Sequence, residues 1–187
     1  MGEEDVPSQR KGWVMNWIII GNVVLSVASI LMCIGGACKT KKNILTIQTT
    51  EVSLMAIGNL MLGSIPGAIA EIINITRNLL CYKNKLNVTV KIALMIISIV
   101  LGLLLNNIGL IGVLPIISTV AYILVINSKD VLAYKMVAVT SLCLWFVHDL
   151  YIGAYITACF DIAAIMATTY SILAIKIQLS KQTMIQI

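Results

Sequence analysis

Residues 13–36 read WVMNWIIIGNVVLSVASILMCIGG, an apolar run without a single charged side chain. A helix needs about 20 such residues to cross the hydrocarbon of a bilayer, so this run predicts a transmembrane helix. It is not typical of a cleavable signal peptide, because acidic residues precede it and a basic cluster without a small-residue cleavage site follows it. The start of the chain therefore indicates a membrane protein.

The composition extends this conclusion to the whole chain. Of the 187 residues, 59% are hydrophobic and only 11% are charged, and the mean hydropathy is +0.99. A soluble domain of this size needs more charge to cover its surface. A membrane β-barrel would alternate polar and apolar positions, which these runs do not do. The composition predicts an all-α, polytopic membrane protein whose outer surface contacts the lipid bilayer.

Seven apolar segments are separated by short breaks that are basic, polar or glycine-containing. The predicted transmembrane helices cover residues 13–36, 44–63, 66–82, 88–105, 108–126, 131–150 and 155–177. Most basic residues fall on one side of the membrane when the crossings alternate, and such a side is normally cytoplasmic. The net charge of +5 thus indicates orientation, with the N-terminus outside and the C-terminus inside, and does not favour nucleic acid as a partner.

The chain also contains an approximate internal sequence repeat. Residues 27–31 match residues 120–124 at an offset of 93, and further along the offset becomes 90, so that Gly63 matches Gly153. Polar positions correspond as well, namely Asn59 with Asp149 and Glu71 with Asp161. Chance likeness between apolar segments is the alternative explanation. Two groups of three helices joined by one linker helix would share one orientation, which predicts a 3+1+3 parallel repeat of the SWEET-like kind.

This repeat defines the predicted organisation of the chain. It consists of a short extracytoplasmic tail (residues 1–12), a first three-helix half (13–85), a linker helix (86–107), a second three-helix half (108–178) and a cytoplasmic tail (179–187).

Several short motifs, in their order and spacing, resemble the YgjV family of bacterial inner-membrane proteins over residues 15–178. The motifs are Gly63-x-x-Pro66, Asn74-x-x-Arg77, Leu114-Pro115, Trp145-x-x-His148-Asp149-x-Tyr151-x-Gly153 and the later Asp161. The resemblance implies a location in the bacterial inner membrane and names no substrate. A more distant likeness to the SWEET and PQ-loop proteins lacks the Pro-Gln pair, and Pro115 alone stands where a hinge proline is expected.

Ionisable residues inside lipid are costly, so the acids within the predicted spans are candidates for function. Asn74 shares a helical face with Glu71, and the repeat pairs Glu71 with Asp161. One interpretation is a polar cavity or proton site between the halves, where one of two neighbouring carboxyls keeps its proton. The other is hydrogen-bonded contact between helices. For Glu51, contact between helices or a snorkelling side chain is favoured.

The remaining candidates lie near the predicted membrane edges. The sole histidine, His148, stands between Trp145 and Asp149 in the motif, and it is either a titratable gate or an ordinary interfacial residue. Arg77 is predicted to be a snorkelling anchor at the inner edge, with contact to an anionic solute as the alternative.

No sequence motif of an enzyme is present, and the five cysteines have no metal-ligand spacing, so neither a metal nor a cofactor is predicted. The favoured function is a transporter or facilitator of a small polar solute, with the candidate residues along its path. A membrane scaffold or sensor that binds a partner through its loops is the alternative. The oligomeric state is left open, a homo-oligomer included.

Overall fold

The computed structural model describes residues 8–37, 41–126 and 131–185, and these form seven α-helices without a β-strand. The helices are α1 (Ser8–Ala37), α2 (Lys41–Met61), α3 (Ile65–Tyr82), α4 (Val88–Leu104), α5 (Val113–Val125), α6 (Val131–Ile152) and α7 (Tyr155–Ile185), with a 3₁₀ turn (Gly109–Gly112) before α5. This confirms the predicted all-α architecture of about seven helices.

The beginning of the fifth helix differs from the prediction. The sequence pattern places a continuous helix from residue 108, whereas the α-helix begins at Val113. Gly109 takes a positive φ of 65°, and the Asn106 carboxamide accepts a hydrogen bond from Ile108 N (3.1 Å) and donates one to Gly109 O (2.6 Å). A side chain that satisfies backbone groups in this way competes with helix formation, and apolar periodicity does not report it.

Six of the helices form a closed ring, and α4 lies outside it. Around the ring, α1 packs on α2, α2 on α3, α3 on α5, α5 on α6, α6 on α7, and α7 back on α1. Helix α4 packs against α3 and α5, and Gly102 brings it close to α5: a Cβ there would lie 2.4 Å from Ile116 Cδ1. The helices predicted as two halves therefore surround one interior.

The distribution of side chains is the reverse of that in a soluble protein. Large apolar residues such as Ile96, Leu103 and Tyr170 are exposed on the outside, while Asn59, Glu71 and other polar residues are buried inside. An apolar outer surface of this extent is stable only against lipid or another apolar partner. The fold thus keeps its polar groups within the ring.

Within the described residues, three helices are individually long and apolar enough to cross a bilayer, namely α1 over Met15–Ile34, α6 over Lys135–Ile152 and α7 over Tyr155–Ile177. The stretches Val88–Leu104 and Gly109–Val125 are apolar but shorter. Helices α2 and α3 carry ionisable residues that their position in the ring keeps away from lipid.

The turns that follow α2 and α6 have the same geometry. Gly63 and Gly153 both adopt a φ of +79°, a left-handed conformation that favours glycine. Ser64 N donates to Asn59 O at 2.8 Å, and Ala154 N donates to Asp149 O at 2.8 Å. Each pair is separated by the offset of 90, since 153 − 63 = 90. Superposition of the complete halves stays a prediction.

The loop before α5 is fastened to the first of these turns. Ile65 N donates to Asn107 Oδ1 at 3.2 Å, and Asn107 Nδ2 donates to Gly63 O at 2.6 Å. The α2–α3 turn and the α4–α5 loop consequently lie together at one end of the bundle. Which end faces the cytoplasm stays a prediction from the basic residues.

Candidate functional site

The ring encloses a cavity of about 540 Å³. Each of the six ring helices contributes to its wall, and none of the lining residues belongs to α4. The contributing residues recur every three or four positions, as on one face of a helix. On α2, for example, the stripe consists of Leu45, Gln48, Glu51, Val52, Met55 and Asn59.

Four carboxyl groups line this cavity, and they come from four different helices. They are Glu51 on α2, Glu71 on α3, Asp149 on α6 and Asp161 on α7. Glu71 Oε2 accepts a hydrogen bond from Asn74 Nδ2 at 3.0 Å. Glu71 and Asp161 lie within electrostatic range of each other, and Glu51 lies within range of both.

Many polar atoms of the wall have no hydrogen-bond partner within the described part of the chain. They are Asn59 Oδ1, Asn74 Oδ1, Asn78 Nδ2, Ser118 Oγ, Thr119 Oγ1, Thr157 Oγ1 and Asp161 Oδ2. A buried polar atom without a partner costs about 1–3 kcal/mol, and native proteins keep few of them. Their concentration around one cavity leaves hydrogen-bonding capacity at its wall that the described residues do not satisfy.

Arg77 points into the cavity, so the predicted snorkelling anchor is wrong. Its Nε and Nη2 donate to Asn78 Oδ1 at 3.2 and 3.0 Å, and its guanidinium lies 5.5 Å from the centre of the Tyr122 ring. These contacts hold the charged head over an aromatic face inside the ring, where it lines the wall. Near the end of α3 a long side chain can point outward to the membrane edge or inward to the cavity, and the sequence alone does not distinguish the two.

A chain of hydrogen bonds joins the two matching turns. His148 Nδ1 lies 2.9 Å from Asp149 Oδ1, and His148 Nε2 lies 2.7 Å from Ser64 Oγ. When Nδ1–H donates to the carboxylate, Nε2 accepts from the serine hydroxyl. We call Ser64, His148 and Asp149 the latch, because they connect the N-cap residue of α3 to the last turns of α6.

The latch is packed on all sides. Ser64 and His148 are fully buried, the His148 ring meets Trp145 edge to face at 5.2 Å, and Ser64 Oγ also accepts from Gly67 N at 3.2 Å. A Cβ on Gly67 would lie 2.7 Å from Ser64 Oγ and 3.0 Å from His148 Cε1, so only glycine fits there. The structure buries His148 between helices, which rules out an exposed interfacial side chain, while its position near the membrane edge stays a prediction.

The latch contains the atoms of a Ser-His-Asp triad, but its serine is not presented to a substrate. A nucleophilic serine needs open space for a carbonyl carbon next to its Oγ. Ser64 and His148 do not line the cavity, and Ser64 Oγ already caps α3. Ser64 and His148 therefore connect the start of α3 to α6, and Asp149 extends this connection to the cavity wall.

The structure brings most of the predicted site residues to one wall. Glu71, Asn74, Arg77, Trp145, Asp149 and Asp161 all line the cavity. His148 lies behind Asp149. Pro115 is fully buried in the first turn of α5, where its missing N–H removes no helical hydrogen bond, and it is not part of the wall.

The sequence interpretation missed other wall residues. Glu51 was assigned to helix contact or snorkelling, and it lines the cavity instead. Gln48, Thr119 and Thr157 were not singled out. Gln48 lies three residues from Glu51 and Thr157 lies four residues from Asp161, so a polar-residue helical wheel would have revealed both. Helix α5 carries no acid that would mark Thr119 in the same way. No cluster of three or more potential metal ligands occurs within the described ranges.

Comparison with known proteins gives one match. The profile of the family Imp-YgjV, described as a bacterial inner membrane protein, matches residues 19–178. It confirms the family resemblance inferred from the motifs. No curated protein and no solved structure matches the chain.

Proposed function

We propose that this chain, which belongs to the Imp-YgjV family of bacterial inner membrane proteins, is a transporter or facilitator that binds a small polar solute in its central cavity and carries it across the inner membrane. The two groups of three ring helices are the parts that move against each other. Glu51, Glu71, Asp149 and Asp161 are the side chains that contact the solute.

The observation that carries this proposal is the polar cavity inside an apolar bundle. A bundle that needed only structural stability would fill its interior with apolar side chains or with fully bonded polar pairs. This interior instead keeps about 540 Å³ of space and a wall of buried oxygen and nitrogen atoms that have no partner among the described residues. Such a wall favours a bound solute that supplies the missing hydrogen bonds.

The position of the latch supports a movement in which the two halves separate at one end of the bundle. Ser64 and His148 form one hydrogen bond between the α2–α3 turn and α6, and Asn107 forms two more between that turn and the loop before α5, so separation at this end requires only these few bonds to open. A single neutral hydrogen bond contributes only about 0.5–1.5 kcal/mol net, which permits reversible opening on the time scale of transport.

Filling the cavity should abolish uptake, and a matched substitution outside it should not. We expect Ala164→Trp to reduce the initial uptake rate at least tenfold, because Ala164 lines the cavity and the indole occupies the space of the solute. Ala163→Trp is the control, since Ala163 is exposed on the lipid side of the same helix. The measurement is uptake of radiolabelled 1,4-diaminobutane, 1,4-butanediol and succinate into proteoliposomes.

These three probes cover a cation, a neutral diol and an anion of equal chain length. Uptake of any one of them that Ala164→Trp removes and Ala163→Trp preserves supports transport through the cavity. Equal rates in both variants, or uptake no faster than in protein-free liposomes for all three, would instead favour the scaffold or sensor alternative.

A further inference from the structure

We infer that the solute bound by the cavity is a small organic cation carrying a protonated amine. This inference rests on the proposed function and specifies the chemical class of its substrate.

The charges of the wall favour a cation. Four carboxyl groups line the cavity, and Arg77 is the single basic side chain among its described lining residues. When all of them are ionised the wall carries a net charge of −3, since 4 − 1 = 3. Carboxylates that share one interior repel each other strongly at the low effective dielectric of a buried site, and a bound cation removes this repulsion.

The unpartnered atoms favour a ligand that donates hydrogen bonds. Asn59 Oδ1 and Asn74 Oδ1 only accept hydrogen bonds, as does Asp161 Oδ2 when the carboxyl is ionised, whereas among the described unpartnered atoms of the wall Asn78 Nδ2 alone can only donate. An ammonium group offers three donors and no acceptor, so it complements these oxygens. A carboxylate or phosphate ligand would leave them unsatisfied.

The position of the aromatic side chain agrees with this assignment. Trp145 and Asp149 are four residues apart on α6 and both line the cavity, so an indole and a carboxyl lie one helical turn apart on the same wall. An ammonium between them gains a cation–π contact and a charge-assisted hydrogen bond together.

An inorganic ion fits this wall less well than an organic cation. The carboxyl groups are spread over four helices, and the described residues contain no cluster that could hold a metal ion. A cavity of about 540 Å³ accommodates an ion together with an organic body, whose polar and apolar parts meet Thr157 and Met55.

The test compares probes that differ in charge and not in length. We expect purified protein in nanodiscs to bind 1,4-diaminobutane at least tenfold more tightly than 1,4-butanediol or succinate in isothermal titration calorimetry. Two variants on α2 then change the charge of the wall in opposite directions. Glu51→Gln should weaken diamine binding about tenfold, and Gln48→Glu should strengthen it, because both residues line the cavity.

The opposite signs separate charge from instability, since a merely damaged protein would bind less in both variants. The inference is overturned if the diol or succinate binds as tightly as the diamine, if none of the three binds, or if both variants shift affinity in the same direction. Uptake of the diol that Ala164→Trp blocks would retain the proposed function and refute the cation. Failure of the transport proposal itself would be recognised separately, by equal uptake in Ala164→Trp and Ala163→Trp.

Discussion

The His148→Ala exchange is expected to lower the free energy of unfolding by about 3–5 kcal/mol. It removes the ring that bonds to both Ser64 Oγ and Asp149 Oδ1. The Asp149 carboxyl and the Ser64 hydroxyl then remain buried without their partner, which costs more than the lost bonds alone. The measurement is thermal and denaturant-induced unfolding of the detergent-purified protein, followed by tryptophan fluorescence.

Two controls separate the latch from general packing. Ser64→Ala breaks the connection to α3 but keeps His148 paired with Asp149, so we expect a smaller loss of about 1–2 kcal/mol. Val147→Ala, next to His148 but 46% exposed on the lipid side, should cost less than about 1 kcal/mol. If His148→Ala were no more destabilising than Val147→Ala, the latch would have no structural role.

Glu71→Gln and Asp161→Asn together are expected to reduce uptake of the transported probe by roughly a hundredfold while the protein remains folded. Both exchanges keep the shape of the side chain and remove its charge. A glutamine at 71 still offers an oxygen to Asn74 Nδ2, which now bonds to Glu71 Oε2 at 3.0 Å. Stability should therefore change little, and the loss should lie in binding.

The same two substitutions should also reduce the pH dependence of diamine binding. Acidification neutralises carboxylates, so diamine affinity should fall with decreasing pH in the unaltered protein and fall less in the double variant. The titratable and charged groups of the wall are Glu51, Glu71, Arg77, Cys81, Tyr122, Asp149 and Asp161, with His148 behind Asp149. The measurement is the probe affinity between pH 5 and pH 8, together with the unfolding temperature of each variant. Reduced stability with unchanged uptake would make Glu71 and Asp161 purely structural.

The sequence was sufficient for the helices because lipid imposes a simple rule on the chain. Every segment that crosses the membrane must be apolar on its outer face and must satisfy its backbone internally, so runs and breaks are visible directly. The exceptions are local. Asn106 bonds to backbone groups of the loop before α5 and Asn107 bonds to backbone groups of the α2–α3 turn, and such side-chain contacts leave no trace in hydropathy.

The site was only partly predictable, because the direction in which a side chain points from its helix depends on neighbouring helices that the sequence does not reveal. The cost of a charge in lipid identified Glu71 and Asp161 correctly as inward-facing candidates. Arg77 has a long side chain near the end of α3 and Glu51 has one in the middle of α2, and for neither does the sequence specify whether the side chain points outward or into the interior. Their inward direction follows from the closed ring, which forms only when α7 returns to α1.

The most direct test of a solute path through the interior is the access of water-soluble thiol reagents to two opposite parts of the wall. Cys81 lines the cavity near the end of α3, and Thr157 lines it near the start of α7. One protein keeps Cys81 as its only cysteine, and the other carries Thr157→Cys in a cysteine-free background. Both are labelled with a membrane-impermeant methanethiosulfonate in right-side-out and inside-out vesicles. A path through the cavity predicts that each folded protein is labelled, Cys81 from the cytoplasmic side and the cysteine at 157 from the other, and that Ala164→Trp slows both reactions. Labelling of both thiols only after denaturation would mean that the cavity is sealed, and would contradict the account.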